Sequence, residues 1–249
     1  MSPTPSPADT IARNWQRVQQ EVAEACHRAG RDPGDVTIVG VTKYVEPSWA
    51  GLLLAAGCHD LGENRPQELW RKAEWFSEHL ASLDSQGSPS LPRWHLIGHL
   101  QRNKITRTLP LIHLLHSLDS LRLAYGLDSA AERLQMQVPL LLEVNISRDA
   151  TKTGIPAAQI EPVVDFLRDR PRLQLLGLMA MATHGAQGEE ARREFAEVRA
   201  LRDRLSRKYE LPLPHLSMGM SGDFAEAIAE GATIVRIGSL LWHGTDAMR

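Results

Sequence analysis

Four short stretches of this chain carry residue types that could do chemistry together. The first is Val36-Thr37-Ile38-Val39-Gly40-Val41-Thr42-Lys43, a β-branched run that ends at a lysine. Apolar residues at nearly every position suit a parallel strand covered on both faces, which puts Lys43 where strand gives way to loop. Partial desolvation there favours the free amine, the form of lysine that makes Schiff bases with carbonyl compounds. The plain alternative is a charged strand end reaching water. The second and third stretches are Ser217-Met218-Gly219-Met220-Ser221-Gly222-Asp223 and Ile237-Gly238-Ser239. Their glycines let backbone approach a ligand and their hydroxyls can donate. The helix expected after Asp223 would offer free N–H groups to an anion. Taken singly, each also reads as a capped turn. The fourth is Arg236, inside the apolar run Thr233-Ile234-Val235-Arg236-Ile237, where a guanidinium needs partners. It is either a structural ion pair, with Glu143 the candidate partner, or a donor to a ring nitrogen or oxyanion. Together the four imply a ligand that combines a phosphate with a carbonyl.

Strands and helices alternate along the chain in the way needed to bring these stretches together. Strands are expected at 36–42, 58–61, 93–97, 111–116, 138–144, 173–179, 213–217 and 233–237. Helices are expected at 47–56, 66–80, 120–134, 156–168, 189–208 and 223–229, with a short one after Lys104. An additional helix comes first, capped by Ser6-Pro7-Ala8-Asp9, with Ile11, Trp15, Val18, Val22 and Ala25 on one stripe and Gly30 as terminator. The expected division is a flexible tail over 1–8 and a single domain over 9–249. Regular alternation implies right-handed βαβ units and a parallel sheet. Eight such units in 249 residues favour an α/β fold closed as a (β/α)₈ TIM barrel with an extra N-terminal helix. In such a barrel the loops after the strands build the site, and phosphate commonly binds after strands seven and eight. Lys43 and both glycine–serine loops would then share one mouth.

Composition excludes several classes. With 43% hydrophobic and 23% charged residues the chain is ordinary for a globular protein. Its net charge of -2 gives no basic field for nucleic acid or for anionic membrane. No apolar stretch approaches the length of a membrane span. Cys26 and Cys58 form no CxxC and read as small buried hydrophobes in a reducing compartment. Met1-Ser-Pro-Thr-Pro-Ser-Pro7 lacks the basic and apolar segments of a signal peptide, so the expected location is the cytoplasm. No long apolar stripe demands a dimer, and a monomer is expected. Neither GxGxxG nor GxxxxGK[ST] occurs, and Met218-Gly219-Met220-Ser221-Gly222 does not match GxSxG. His95 and His99 lie four apart on a strand-to-loop segment, which does not put both on one helix face, so no shared metal is expected. His184 and His243 read as incidental loop histidines.

Val39-Gly-Val-Thr-Lys43, Gly62-Glu-Asn-Arg-Pro-Gln-Glu68, Trp94-His-Leu-Ile-Gly-His-Leu-Gln-Arg-Asn-Lys104, Val144-Asn-Ile-Ser147 with Lys152-Thr-Gly154, Gly177-Leu-Met-Ala180, and Leu216-Ser-Met-Gly-Met-Ser221 through Val235-Arg-Ile-Gly238 occur in that order. This set strongly resembles the pyridoxal phosphate homeostasis protein family, single-domain relatives of the alanine racemase barrel, over nearly the whole chain. The resemblance implies an alanine racemase N-terminal-domain-like barrel in which Lys43 holds pyridoxal 5'-phosphate (PLP) as a Schiff base. It further implies that Ser221, Gly238 and Ser239 grip the phosphate, that Gly222 belongs to the cofactor-binding set, that Arg236 faces the pyridine nitrogen, and that Asn64 and Met218 line the cofactor. Ser239 stands where the family often has threonine, and Arg65-Pro66 replaces a more usual pair in the strand-two loop. The implied role is intracellular PLP homeostasis, as a carrier or regulator with effects on amino-acid and keto-acid metabolism and with PLP-dependent apo-enzymes as candidate recipients.

The residues favour a carrier over a catalyst. PLP catalysis uses the ring as an electron sink, which a protonated ring nitrogen strengthens and an arginine beside it weakens. Two-base racemisation also needs a group facing the lysine, which the alanine racemase relatives supply as a tyrosine with help from a second, β-rich domain. Eight βα units use up this chain, and Tyr44, Tyr125 and Tyr209 are its tyrosines. Strand alternation would turn Tyr44 away from Lys43. The expectation is a PLP-binding protein without turnover. The alternatives are a PLP-dependent amino-acid racemase and a barrel aldolase that uses Lys43 directly. An aldolase would be colourless and would be trapped by borohydride only with substrate.

Overall fold

Eight parallel strands close on themselves in this computed structural model, which describes residues 6–83, 91–146 and 153–247. They are β1 (Thr37–Val41), β2 (Asp60–Glu63), β3 (Arg93–Leu96), β4 (Leu114–Leu118), β5 (Val138–Asn145), β6 (Leu173–Met179), β7 (His215–Met220) and β8 (Ile234–Ile237). Neighbours run β4-β3-β2-β1-β8-β7-β6-β5, and pairing of β4 with β5 through Leu115–Leu140 and Leu118–Leu142 shuts the ring. The expected barrel is the observed one. Strand β1 sits between β2 (Gly40–Leu61) and β8 (Val39–Arg236), so the strand leading to Lys43 and the strand carrying Arg236 are hydrogen-bonded neighbours.

Alternation along each strand divides the apolar residues between two cores. Val39, Leu114, Leu141, Met179 and Ile234 fill the barrel interior. A larger shell between strands and helices holds Leu61, Leu96, Leu140, Leu178, Leu216 and Met218, with Phe76 and Phe195 from the helices. Cys26 and Cys58 are both buried and unpaired, and burial pushes the Cys58 thiol up to about 12. They behave as the small hydrophobes expected of them.

The helices are α1 (Pro7–Arg28), α2 (Pro47–Ala55), α3 (Pro66–Leu83), α4 (Ile105–Thr108), α5 (Leu121–Leu134), α6 (Glu161–Arg168), α7 (Glu189–Tyr209), α8 (Phe224–Ala229) and α9 (Ser239–Trp242). Helix α1 opens with a capping box in which Ser6 Oγ accepts from Asp9 N and the Asp9 carboxylate accepts from Ser6 N. Residues 6–8 therefore belong to the helix and its cap, which moves the boundary drawn for the tail, and residues 1–5 lie outside the described residues. The buried stripe Ile11, Trp15, Val18, Val22 and Ala25 packs this helix over α2, α8 and α9. From the stripe, Asn14 Nδ2 donates to the carbonyls of Leu241 and His243, both at 2.9 Å. Trp242 Nε1 in turn donates to Val41 O at 2.9 Å. The extra helix thus clamps α9, and α9 clamps the last carbonyl of β1.

The departures from the sequence reading that bear on the fold fall at four elements. Strand β4 starts at Leu114 because Leu109–Leu111, with Pro110 at its centre, forms a 3₁₀ turn first. Strand β2 starts at Asp60 and runs through Gly62-Glu63. The helix expected from 156 is Glu161–Arg168, preceded by a two-residue pairing of Ile155–Pro156 with β5 and a 3₁₀ turn over Ala157–Gln159. Strand β7 continues to Met220, so Met218-Gly219-Met220 is strand rather than loop. Parts of the loops expected at 84–92 and 145–154, namely 84–90 and 147–152, lie outside the described residues.

Candidate functional site

The C-terminal ends of β1, β2, β7 and β8 open on a cavity of about 640 Å³ lined by Lys43, Asn64, Ser221, Gly222, Arg236, Gly238 and Ser239. These are seven of the eight residues named from the sequence, brought from positions 43 to 239 onto one surface. The eighth, Met218, is not there: it is fully buried on the outer face of β7, packed in the shell beneath the helices. Two residues further along, Met220 lines the cavity instead, with Met181. The resemblance implies a cofactor-lining Met218, but in strand β7 this residue points away from the barrel axis and into the outer shell.

Lys43 follows Val39 and Val41 on the inward side of β1 and its side chain is exposed at the cavity. The desolvated setting expected for it is therefore absent. Tyr44 also departs from expectation. Its backbone is left-handed (φ 65°), which breaks strand alternation and returns the ring to the same cavity, with Lys43 Nζ 5.9 Å from the ring centre. A left-handed non-glycine residue costs of order 1–2 kcal/mol, so the turn is held by what surrounds it.

One support is a buried cluster behind Thr42. Lys72 Nζ donates to Thr42 O at 2.7 Å and pairs with the Glu63 carboxylate, while Thr42 Oγ1 donates to Glu63 Oε1 at 2.7 Å. Both charged side chains are almost completely buried. Asn64 is seated by a close approach: a Cβ on Gly98 would lie 2.3 Å from Asn64 O, so only glycine lets the loop after β3 pass there. Pro66 opens α3 directly behind, and Arg65 lies 6.0 Å from the Tyr44 ring.

The two glycine–serine loops also interlock. Gly238 N donates to Ser221 Oγ at 3.2 Å, which joins the loop after β7 to that after β8. Gly219 carries φ +92°, and a Cβ there would meet Phe224 Cα at 2.9 Å, so the bend needs glycine. Arg236 is buried and makes no ion pair with Glu143. Its Nη1 donates to Ser217 O at 2.7 Å and to Ser217 Oγ at 2.6 Å, and its Nη2 to Ala180 O at 3.0 Å. Burial pulls its pKa down to about 10 against the opposing fields of Asp223 and Glu143, so the guanidinium stays charged at neutral pH. Glu143 instead accepts from Thr153 Oγ1 at 2.5 Å. His95 faces into the barrel and His99 is exposed beside Asp119, so the two point apart, and no metal-ligand cluster exists among the described residues.

The family model described as "Alanine racemase, N-terminal domain" matches residues 8–246. A pyridoxal phosphate homeostasis protein of Aquifex aeolicus is 38% identical over 226 residues, covering 91% of this chain and 94% of that one. Its Pseudomonas aeruginosa counterpart is 35% identical, covering 95% and 96%. The chain belongs to the pyridoxal phosphate homeostasis protein family. Among solved structures, that of PipY of Synechococcus elongatus with PLP bound superposes with a TM-score of 0.80 at 31% identity, covering 93% of this chain and 99% of that one. Alanine racemase of Clostridium difficile has a TM-score of 0.66 at 15% identity, with 92% and 58% covered, and shares the fold alone.

Beyond the named residues, the cavity of this homeostasis-family barrel is walled by Tyr44, Ile97, Met181, Met220 and Trp242. Nothing in local sequence marks these. Trp242 does follow Ser239 by one helical turn, which a short helix after strand eight would have suggested.

Two measurements check this architecture. Removing one partner of a buried ion pair strands the other, so Lys72→Met should cost about 3–5 kcal/mol in urea unfolding, while adding Glu63→Leu to it should restore much of the loss. A double variant as unstable as the single would contradict the pairing. The second is pH. Burial, with the fields of His95 and Arg236, holds the His116 pKa well below its usual value. The unfolded chain protonates this histidine near pH 6.5 and the folded chain does not, so stability should fall as pH drops below about 6.5. Burial would raise the Asp60 carboxyl, but hydrogen bonds from Arg93 and His95 outweigh it and hold it well below the usual carboxylate range. Its contribution is present above about pH 4 and is lost below that. A urea midpoint unchanged between pH 7 and pH 5 would contradict the first part.

Proposed function

We propose that this protein binds PLP covalently through Lys43 and serves intracellular PLP homeostasis as a carrier or regulator. The observation that carries the reading is the charge of the cavity. Its charged lining residues are Lys43 and Arg236, both cationic, and no carboxylate lines it among the described residues. Two serine–glycine pairs supply hydroxyls and backbone N–H groups, and Tyr44, Trp242 and Ile97 supply flat apolar walls. An anionic, planar aldehyde suits that set, and a volume of about 640 Å³ is within the range of cofactor pockets. Family membership and the PLP bound in PipY support the same ligand.

The residues take distinct roles. Lys43 is the amine for the aldehyde carbon. Ser221, Gly222, Gly238 and Ser239 are donors for the phosphate, with the Gly238 N–H now turned to Ser221 Oγ and available for exchange. Asn64 borders the ring, and Met220 takes the place first given to Met218. Bound PLP supplies an electron sink for amino-acid chemistry, most strongly when its ring nitrogen is protonated. Arg236, donor-only and charged, favours the unprotonated nitrogen and so weakens that sink. The proposal is accordingly a tether with weak catalytic power, monomeric and cytoplasmic, whose recipients are PLP-dependent apo-enzymes. No described helix is long and apolar enough to cross a membrane. Tyr44, now beside Lys43 rather than turned away, keeps the racemase reading specific enough to test.

PLP added to the purified protein, with unbound PLP then removed by gel filtration, should leave a protein-bound visible absorbance band that Lys43→Ala abolishes. A panel of amino acids should racemise far more slowly than about 1 per second, the low end of ordinary enzyme turnover. Faster racemisation that Tyr44→Phe removes would replace the carrier reading with an enzyme. A band that survives in Lys43→Ala would remove Lys43 from its role.

A further inference from the structure

A line of polar side chains crosses the barrel interior from its floor to Arg236. At the floor, Asp60 takes two hydrogen bonds from Arg93, from Nε at 2.8 Å and from Nη2 at 2.5 Å. His95 Nε2 lies 3.0 Å from Asp60 Oδ1, and His95 Nδ1 lies 2.9 Å from His116 Nε2. His116 Nδ1 lies 2.8 Å from Ser217 Oγ, which also accepts from Arg236 Nη1. Asp60, His95, His116 and Ser217 come from β2, β3, β4 and β7, and all four are buried. None of the four lines the cavity.

The ends of this line dictate its direction. A carboxylate only accepts and a guanidinium only donates. Asp60 therefore requires the proton of a neutral His95 on Nε2, which leaves Nδ1 as an acceptor. His116 must then carry its proton on Nε2 and accept at Nδ1, and Ser217 must send its hydroxyl proton there. That leaves the Ser217 oxygen lone pairs for Arg236. With His95 neutral, one arrangement satisfies every link and gives the Ser217 hydroxyl proton its acceptor, and each link polarises the next. An extra proton on His95 would reverse His116 and press two N–H donors onto Ser217 Oγ.

We propose that Asp60, His95, His116 and Ser217 are positioning residues, a one-way hydrogen-bond chain that fixes Arg236 as a donor to the ring nitrogen of PLP. The inference rests on the PLP reading above and adds residues outside the cavity to it. Ser217 O, Ser217 Oγ and Ala180 O engage three of the five guanidinium N–H groups, so among the described residues two remain for a ligand. Holding those two in a fixed direction is the work of the chain. A rotated guanidinium would still neutralise charge but would no longer address one ring atom.

The test reads the chain first without ligand. In the PLP-free protein at neutral pH, ¹⁵N NMR of labelled histidine should show His95 and His116 both neutral with the proton on Nε2. An Nδ1–H form, or a doubly protonated ring, at either position would overturn the chain. The second arm adds PLP labelled with ¹⁵N at the ring nitrogen to the wild type, Ser217→Ala and Asp60→Asn. The wild type should show an unprotonated, hydrogen-bonded nitrogen. Both variants should shift that resonance, and Ser217→Ala should bind PLP about tenfold more weakly, the effect of losing one hydrogen bond to a charged group. Variants that are merely less stable, with ring resonance and affinity unchanged, would overturn the positioning role. A wild-type protein that takes up no PLP would sink the functional reading, and the ligand-free histidine pattern distinguishes that failure from failure of the chain.

Discussion

A guanidinium buried inside a barrel of eight strands has to be paired, because an unpartnered charge in that position costs several kcal/mol. Arg236 meets this demand with two carbonyls and a serine hydroxyl rather than with a carboxylate. The choice has consequences in both directions. Towards the floor, Ser217 is committed to His116, His116 to His95, and His95 to Asp60. Towards the mouth, the cation keeps its charge and its remaining donors for the cavity. A carboxylate partner would have cancelled the field that suits the cavity to an anion.

Lys43 is held by a different and equally buried arrangement. Its predecessor Thr42 is gripped through the backbone carbonyl by Lys72 and through the hydroxyl by Glu63, and the carbonyl of Val41 is held by Trp242. Hydrogen bonds thus hold Val41 O, Thr42 N, Thr42 O and Thr42 Oγ1 at the end of β1, while Lys43 itself is exposed. A fixed base with an accessible amine suits capture and release of a carbonyl ligand better than a sealed catalytic lysine does. The site therefore combines rigidity in the backbone with openness at the reacting atom, and the two come from separate residues.

Much of this was legible in the sequence because it depends on period and on chain order. Strand–helix alternation implies the closed barrel, and the barrel rule puts Lys43 at the same mouth as the glycine–serine loops after the last two strands. What escaped reading depends on register and on individual dihedral angles. The stretch around Met218 reads as a glycine-rich loop after a strand ending at 217, whereas β7 carries on through a left-handed Gly219 and buries Met218 outside the barrel. Tyr44 was assigned a face by alternation that its own φ of 65° cancels. The interior chain was hidden more deeply. Asp60, His95, His116 and Ser217 stand on four strands, and only the barrel's stagger brings them to hydrogen-bond distance.

The central claim is that Lys43, and no other amine, is the point of attachment for PLP. Reduction of the PLP-loaded protein with borohydride fixes the ligand to whichever amine holds it, and peptide mapping by mass spectrometry then locates it. The account predicts a single pyridoxyl-phosphate group on the peptide containing Lys43. The group found on Lys72, Lys104 or another lysine, with Lys43 unmodified, would contradict it.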